Sequence, residues 1–319
     1  MSRILYVSHD LEQPRGGIGV LYDHVATLRR HGFEAFVVHA TAGFRYPFAP
    51  ADVPVLEVRS IREILDTDVL VVPEDHAEAI RRCRDFRCRK VLFCQNHFFI
   101  FDGLSPGETW QDFGFSAYMC VSSPIKQALS KWFGVNASIV RPAIDEAFFS
   151  GRSKPLEAPI TIACMPRKGR STLRLVQGLL TTKGHAEASS LSWLEIEGLA
   201  KDQVAARLGG AHIYVSTSVR EGLGLPPLEA MASGCLVVGF AGAGGLDFAS
   251  EDNGVWVPDE DSWALAAALE STLVALHDPA AVAALEAKRK AGRVTAERYS
   301  RAQLERDLIL FWSTYFRKA

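Results

Sequence analysis

The sequence predicts an α/β protein with two Rossmann-like, doubly wound domains that face a cleft. Short apolar runs alternate with helical patterns along most of the chain, which is typical of parallel strands joined by helices. The alternation occurs in two halves, separated at 150–159 by a segment rich in glycine, proline and charge. With 319 residues, the chain is long enough for two domains, each with its own core. We expect the first domain over 1–150 and the second over 151–299.

The composition is that of a soluble globular protein, with 48% hydrophobic and 23% charged residues. A net charge of -2 argues against general binding to nucleic acid. No apolar run approaches the roughly 18 residues of a membrane span, and the first residues predict a strand instead of a signal peptide. These observations predict a cytoplasmic location. Cys83 and Cys88 have no matching second pair, so neither a zinc site nor a disulfide is expected there.

The first half opens with a strand over Arg3–Ser8, a glycine-rich loop that contains Gly16 and Gly17, and then a helix and a strand over Glu34–His39. This order is Rossmann-like. The glycines follow the strand too late and lack the G-x-G-x-x-G spacing, so a redox dinucleotide enzyme is not expected. The loop is either a flexible helix start or part of a ligand site. Three polar residues precede it as candidate ligand contacts: His9, Asp10 and Arg15.

Further strands and helices complete this half. The strands are expected at Val53–Val58, Asp68–Val72, Val91–Gln95, Ala117–Ser122 and Ala137–Val140. The helices are expected at Ile61–Leu65, His76–Phe86 and Ser123–Phe133.

Polar residues follow two of these strands, at the edge where ligands bind in parallel sheets. His97 follows the strand Val91–Gln95 and is either a structural histidine or a ligand contact. The long aromatic loop Phe98–Phe115 is either a functional segment or a cover for the core. Asp66–Asp68 directly precedes an apolar strand, which favours a turn or cap over a metal site. The weaker candidates for ligand contacts are Glu74, Asp75 and His76.

The second half begins with a strand over Ile160–Cys164, followed by a cluster of cations that includes Arg167, Lys168 and Arg170. Cations between a strand and a helix suit a diphosphate, because arginine presents a fork of donors and lysine a point charge. They are equally consistent with solvated charges at a helix start. The remaining elements are a strand over Trp193–Glu197 and helices to about Leu180 and over Asp202–Leu208, Ser262–His277, Pro279–Arg298 and Ser300–Lys318.

The most informative segment, residues 212–240, predicts strand, glycine-rich loop, helix and strand. The strand His212–Ser216 leads into the loop Arg220–Leu225, and Pro226 and Pro227 begin a helix. Free amides at such a helix start favour an anion. Two glutamates in this segment, Glu221 and Glu229, are either solvated charges or ligands for sugar hydroxyls.

This segment closely resembles the E-x7-E signature of family 4 (group 1) retaining glycosyltransferases, which have the two-domain GT-B fold. The resemblance runs from Glu221 through Glu229 to Gly234. It implies that Glu221 lies by the donor sugar, where it is a candidate catalytic residue, and that Glu229 binds the ribose of a nucleotide. It also implies that the loop between them binds the diphosphate, through Gly222, Leu223, Gly224 and Leu225.

The resemblance is close over residues 160–260 and loose in the first domain. It implies that Arg167 and Lys168 bind the donor phosphates and that Gly16 and Gly17 lie over the diphosphate. It also implies that His97 lines the reaction centre as a second candidate catalytic residue. A second glycine loop, Gly242–Gly245, is expected to approach the donor, and the C-terminal helix, at about 300–319, is expected to cross back to the first domain.

The reaction so implied is transfer of a sugar from a nucleotide-diphosphate sugar to a hydroxyl of a glycan, a lipid-linked sugar or a small molecule, with retention. Neither a metal nor a cofactor is expected. The expected partners are the nucleotide-sugar donor and a sugar or lipid-linked acceptor, but no nucleic acid. Peripheral contact with a membrane and the oligomeric state stay open. The alternatives are a nucleotide-sugar epimerase of the same fold and a nucleotide-sugar-binding protein without turnover.

Overall fold

The computed structural model describes residues 2–57, 63–151, 154–157, 159–182 and 191–317. The strands are, in chain order, β1 (Ile4–Val7), β2 (Ala35–His39), β3 (Val55–Glu57), β4 (Val69–Pro73), β5 (Arg89–Cys94), β6 (Ala117–Cys120), β7 (Ser138–Ile139), β8 (Ile160–Cys164), β9 (Leu191–Glu195), β10 (Ile213–Ser216), β11 (Leu236–Phe240) and β12 (Val255–Val257). The helices are α1 (Gly16–Arg30), α2 (Ala77–Arg82), α3 (Ile100–Gly103), α4 (Ser123–Phe133), α5 (Glu146–Phe149), α6 (Arg170–Thr182), α7 (Lys201–Gly210), α8 (Leu225–Ala232), α9 (Gly242–Gly245), α10 (Ser262–Ala275), α11 (Pro279–Glu297) and α12 (Arg301–Arg317).

The chain divides into two compact units, one made of Met1–Ala143 with Arg301–Ala319 and the other of Ile144–Ser300. This division falls before the linker expected at 150–159, because α5 packs within the second unit against α7 and α8. Arg293 on α11 also donates a hydrogen bond to the backbone oxygen of Phe149, at 2.7 Å. Parts of the expected linker, and of the helix expected at Ile61–Leu65, lie outside the described residues.

In the described part of the first unit, a seven-stranded parallel sheet has the order β3-β2-β1-β4-β5-β6-β7. Its central strands are continuous apolar runs because helices cover both faces of such a sheet, and every residue of β4 is buried. The chain continues from β1 to one side of the sheet and from β4 to the other. The carboxyl ends of β1 and β4 therefore form a switch point, where ligands bind in this type of sheet.

The C-terminal helix α12 packs on the first unit, as predicted. Leu308 and Trp312 are fully buried, and the indole nitrogen of Trp312 donates a hydrogen bond to the Tyr6 hydroxyl on β1 at 3.3 Å. Arg30 at the end of α1 pairs with Glu305 at 2.9 Å. The apolar stripe of α12 thus belongs to the core of this unit.

The segment 98–115 contains regular structure, so its prediction as a long loop is wrong. A 3₁₀ helix over His97–Phe99 leads into α3, and a second one covers Trp110–Phe113. Trp110 and Phe113 are fully buried, whereas Phe101 is 62% exposed. The carboxyl-terminal part of the segment covers the core, and the amino-terminal part presents aromatic rings to solvent.

In the second unit, the described strands form a five-stranded parallel sheet with the order β12-β11-β10-β8-β9. The core between this sheet and helices α6 and α10 consists of buried apolar side chains: Ile162, Leu173, Val176, Ile213, Val215, Leu236, Val238, Leu265 and Leu269. Two parallel sheets covered by helices confirm the predicted α/β class with Rossmann-like units. Among the helices that the structure describes, none combines the length and the apolar character needed to cross a bilayer.

Candidate active site

A cavity of about 370 Å³ opens at the carboxyl edge of the sheet in the second unit. Its position follows from the strand order, because β8 lies between β9 and β10 and the chain reaches these two strands on opposite sides. Connections that leave adjacent strands in opposite directions diverge and leave a crevice. The lining residues are Arg167, Lys168, Thr172, Thr217, Ser218, Val219, Arg220, Glu221, Phe240 and Glu260.

Two predicted residues meet in this cavity as an ion pair. The Lys168 ammonium donates to Oε1 of Glu221, and the Ser218 hydroxyl donates to the same carboxylate oxygen. The Lys168 and Glu221 side chains keep 23% and 16% of their surface exposed. Because the pair remains in contact with solvent, an incoming anion can reach the lysine.

Arg167 is an exposed cation on the same lining, and it forms no hydrogen bond or ion pair with the residues that the structure describes. Arg170 behaves differently, because its guanidinium pairs with Glu197 at 2.8 Å on the exposed surface. Arg167 and Lys168 therefore line the cavity, whereas Arg170 lies outside its lining.

The glycine-rich loop that follows the cavity is buried and leads directly into α8. Gly224 has φ of 96°, a left-handed conformation that favours glycine, and it is the N-cap of α8. Gly222, Leu223 and Gly224 are buried and lie beyond the lining of the cavity. The prediction that Leu225 ends the loop is wrong, because the helix already begins at this residue. Proline is compatible with the first turn, where amides have no intrahelical partner.

The glycines at 242–245 form the short helix α9, so the prediction of a second glycine loop is wrong. A Cβ atom on Gly244 would lie 2.5 Å from backbone atoms of Leu223, closer than any side chain allows. The absence of a side chain at Gly244 therefore lets α9 pass against the buried loop. The glycine-rich sequence here serves close packing of backbones.

Glu229 lies on α8 with its carboxylate free of hydrogen bonds and ion pairs to described residues. The residue is half-buried, and removal of its carboxylate from water by burial raises its pKa to about 7. Lys201 and Lys168 lower this pKa, and Asp145 raises it. A carboxylate without a protein partner at this depth has both oxygens available for a ligand.

In the first unit, Gly16 and Gly17 are the first residues of α1 and not a loop, which corrects the prediction of their structure. Both are exposed. The backbone oxygen of Gly17 accepts a hydrogen bond from the Gln95 side chain at 3.2 Å. The two glycines therefore form the amino end of a helix beside the end of β5, and helix amino ends attract anions.

Polar side chains cluster at the switch point of the first sheet. His9, after β1, contacts Asp75, after β4, at 3.0 Å from Nε2 to Oδ1, and its ring stacks on His76 with 4.3 Å between centroids. Glu74 is 3% exposed and accepts backbone hydrogen bonds from Gln95 at 2.9 Å and from the following residue. Burial, reinforced by Asp75, raises the pKa of Glu74 to about 8.

His97 begins the 3₁₀ helix after β5, and its ring lies 4.4 Å from that of Phe98. Its Nδ1 is buried and has no hydrogen-bond partner among the described residues. Burial lowers the pKa of His97, which favours the neutral imidazole. A buried ring nitrogen without a partner is uncommon in folded proteins, so this atom is a candidate ligand contact.

Two other early candidates have structural contacts. Asp10 accepts hydrogen bonds from His39 Nδ1 and the Thr41 amide, both at 2.7 Å. The amide of Arg15 donates to the Tyr46 hydroxyl, also at 2.7 Å. These contacts tie the segment after β1 to the segment after β2.

Sequence reasoning missed four polar residues of the cavity: Thr172, Thr217, Ser218 and Glu260. Ser218 matters most because its hydroxyl donates to Glu221. A signal was present, since Ser216–Ser218 is a polar run directly after an apolar strand.

Asp68 is buried against Arg3 and the Leu65 amide, which agrees with the expected turn role. Among the described residues, no three His, Cys, Asp or Glu side chains are grouped closely enough to hold a metal ion.

Comparison with known proteins bears directly on this cavity. A family model described as "Glycosyl transferases group 1" matches residues 178–274, which include Ser218, Glu221 and Glu229. The alpha-1,6-glucosyltransferase of Actinobacillus pleuropneumoniae serotype 7 (strain AP76) is 29% identical over 232 residues, which are 71% of this chain and 69% of the relative.

Solved structures agree with the fold. A glycosyltransferase from Rickettsia africae ESF-5 matches with a TM-score of 0.73 at 15% identity, over 100% of this chain and 99% of that one. The chain is a glycosyltransferase with the GT-B fold. Anabaena HepE, solved in complex with UDP-glucose, matches this glycosyltransferase with a TM-score of 0.68 at 14% identity, over 98% of this chain and 100% of that one.

Proposed function

We propose that this glycosyltransferase binds UDP-glucose, or a closely related UDP-hexose, with its diphosphate in the cavity of the second unit. The observation that carries the proposal is the cavity itself, which lies at the switch point of the sheet and is lined by both Arg167 and Lys168. Arginine and lysine are suited to phosphate oxygens by charge and by hydrogen bonding. The names of the relatives support the choice of donor, since one is a glucosyltransferase and another was solved with UDP-glucose.

The two cations would stabilise the leaving UDP. As the glycosidic bond to the donor phosphate breaks, negative charge develops on the diphosphate, and fixed positive charges lower the energy of that state. Lys168 would exchange Glu221 for a phosphate oxygen, and Arg167 would add a second contact. These two residues supply the positive charge, so the proposed reaction needs no metal ion.

The two glutamates would bind hydroxyl groups at the two ends of the donor. The Glu229 carboxylate has no hydrogen-bond or ion-pair partner in the described part of the chain and would accept hydrogen bonds from the ribose. Glu221, once released by Lys168, would remain bound to Ser218 and accept hydrogen bonds from the sugar. The amides of Gly222, Leu223, Gly224 and Leu225 would complete the anion site at the amino end of α8.

The first unit has candidate ligand contacts of its own. His97, with a buried nitrogen that has no partner among the described residues, would contact a sugar. Gly16 and Gly17 would offer amides at the start of α1 to a phosphate group. His9 and Asp75 would bind a hydroxyl of a sugar or lipid-linked acceptor. One relative is named as an alpha-1,6-glucosyltransferase. Because UDP-glucose also has an alpha linkage, between its sugar and its phosphate, an alpha product requires that the configuration is retained. We therefore propose retention.

A thermal-shift panel tests the donor site. Wild type and Glu229→Ala are melted with UDP, GDP, dTDP, CDP and ADP and with their common sugar conjugates. Binding to the folded state raises the melting temperature. We expect UDP and UDP-glucose to stabilise wild type more than the variant. Stabilisation by another nucleotide would mean that the donor has a different base and binds at the same site. No stabilisation by any nucleotide would contradict the proposal.

Transfer itself is tested by product analysis. Incubation with UDP-glucose and a sugar acceptor is expected to give a glycoside whose anomeric proton has the small coupling of an alpha linkage. Formation, without acceptor, of a product in which a ring carbon of the donor sugar has inverted its configuration would indicate an epimerase. Binding without any product would indicate a non-catalytic nucleotide-sugar-binding protein.

A further inference from the structure

The first unit presents an aromatic surface made of Phe98, Phe99, Phe101 and Trp132. Their exposed fractions are 44%, 42%, 62% and 73%, respectively. Large aromatic side chains are normally buried, because each contributes a large apolar area. A group of them in solvent therefore indicates a surface that binds something.

Contacts within the unit join the two parts of the aromatic surface. The 3₁₀ helix that contains Phe98 and Phe99 packs against α4, which contains Trp132. The Phe101 ring lies 6.4 Å from that of Phe133, the residue after Trp132. The exposed rings thus lie on neighbouring segments of one unit instead of being spread singly around it.

The charges next to the aromatic surface are positive. Helix α4 carries Lys126 and Lys131 and no carboxylate, and the Lys131 ammonium lies 5.0 Å from the centre of the Trp132 ring. Neither lysine forms an ion pair with the residues that the structure describes. The segments 97–104 and 122–136 contain two lysines, Lys126 and Lys131, and one acidic residue, Asp102, so together they carry an excess of one positive charge.

We propose that the aromatic surface binds the surface of a bilayer with anionic headgroups. Phenylalanine and tryptophan rings partition into the boundary between headgroups and acyl chains, and lysine stems lie along that boundary with their ammonium groups in water. Unpaired lysines are attracted to anionic lipids. The proposal goes beyond donor binding and does not depend on it, and it agrees with an acceptor carried on a lipid.

A second copy of the chain is a poorer fit to the same surface. A twofold interface places the same patch on both partners. The lysines of α4 in one copy would then approach the same lysines of the other copy, and Asp102 would balance only one of the two positive charges in each patch. Like charges that approach each other across an interface oppose association.

Vesicle co-sedimentation tests the proposal on the full chain. Vesicles of phosphatidylcholine with about a third phosphatidylglycerol are expected to bind the wild type, more weakly at high salt because exposed charges are screened. The double variant F101S/W132S is expected to bind about tenfold more weakly or worse, because it removes two exposed rings. Lys131→Gln is expected to lower binding about fivefold on anionic vesicles only.

Matched variants in the second unit control for general loss of apolar surface or charge. Trp263→Ser removes a ring that is 67% exposed on α10, and Lys290→Gln removes an exposed cation on α11. Both are expected to bind vesicles like wild type, and all variants are expected to melt at the wild-type temperature. No binding by wild type, or equal loss in the control variants, would overturn the proposal. Dimers in solution that F101S/W132S abolishes, without vesicle binding, would indicate a second copy as the partner instead.

Discussion

Lys168 and Glu221 form an ion pair inside the cavity, and Ser218 donates a hydrogen bond to the same carboxylate oxygen. The lysine comes from the connection after β8 and the glutamate from the connection after β10, so the pair bridges the switch point of the sheet. In this arrangement the carboxylate occupies the position that an anionic ligand of Lys168 would take. On the proposed donor site, Lys168 would exchange Glu221 for a phosphate oxygen, which would release both side chains for the ligand.

The first prediction is that Glu221→Gln separates nucleotide binding from transfer. Without the carboxylate, Lys168 has no ion pair to break, so the dissociation constant of UDP is expected to stay equal or fall several-fold. The rate of transfer is expected to fall by about 100-fold, since contacts made near the reacting sugar contribute mainly to the transition state. Calorimetry and a transfer assay measure the two effects.

Glu260→Gln is the matched control, because it removes a carboxylate of the same cavity that has no contact with Lys168. Weaker UDP binding by Glu221→Gln than by Glu260→Gln would show that Glu221 helps to hold the nucleotide instead of competing with it.

The second prediction concerns pH and Glu229, whose pKa is raised to about 7. The ionised carboxylate accepts two hydroxyl donors, whereas the protonated group accepts them poorly. The affinity for UDP-glucose is therefore expected to rise about tenfold between about pH 6 and about pH 8, following the ionised fraction. Glu229→Gln is expected to abolish this dependence. An unchanged pH profile in the variant, measured by calorimetry, would contradict the assignment of Glu229 to the ribose.

The third prediction concerns Gly244 and the buried loop. Gly244→Ala would place a Cβ atom 2.5 Å from the Leu223 backbone and displace the loop. We expect a loss of about 1–3 kcal/mol in the free energy of unfolding and weaker UDP binding. Gly178→Ala, at an exposed position of α6 with open space around the new atom, is the control and is expected to stabilise the protein by about 0.5–1 kcal/mol. Equal effects of the two substitutions in urea denaturation would refute the packing argument.

The fourth prediction concerns stability and Glu74. Burial raises its pKa to about 8 in the folded state, from 4.5 in the unfolded chain. Between these two pH values the folded state still binds a proton that the unfolded state has released. Its stabilising contribution is complete below about pH 4.5 and is lost as pH rises through about 8. The free energy of unfolding should therefore fall in this interval, by at most about 1.4 kcal/mol per pH unit for one proton.

Glu74→Gln keeps the length of the side chain but cannot ionise, and its single amide oxygen accepts from only one of the backbone amides of Gln95 and Asn96. Chemical denaturation at several pH values is expected to show a shallower decline for the variant than for wild type. Parallel curves would mean that Glu74 does not titrate in this range.

The sequence predicted most of the strands because their causes are local, although it missed β12. Buried parallel strands must be apolar along their whole length, and the carboxyl ends of such strands are where Lys168 and Glu221 occur. The hydrogen bond from Ser218 was not predictable, because it depends on how the loop turns back on itself. The contact between His9 and Asp75 required the order of β1 and β4 in the sheet, which composition does not reveal.

Local preference also misled in places where packing decides the structure. Glycine is a poor helix former, yet 242–245 is helical. Glycine is required at Gly244 for packing, because the backbone of α9 passes too close to Leu223 for a side chain. The aromatic segment 98–115 looked irregular because its short helices have no repeating apolar pattern. Its rings divide between core and solvent according to tertiary contacts.

Calorimetric titration of UDP into wild type and Lys168→Ala tests the central claim, that the diphosphate occupies the cavity at the switch point, most directly. Loss of a hydrogen bond between opposite charges corresponds to about 1.5–3 kcal/mol, so the dissociation constant is expected to rise about 10- to 100-fold. Arg170→Ala, whose side chain pairs with Glu197 outside the cavity lining, is the control and is expected to bind UDP like wild type. Equal affinity of wild type and Lys168→Ala for UDP would place the diphosphate elsewhere and contradict the account.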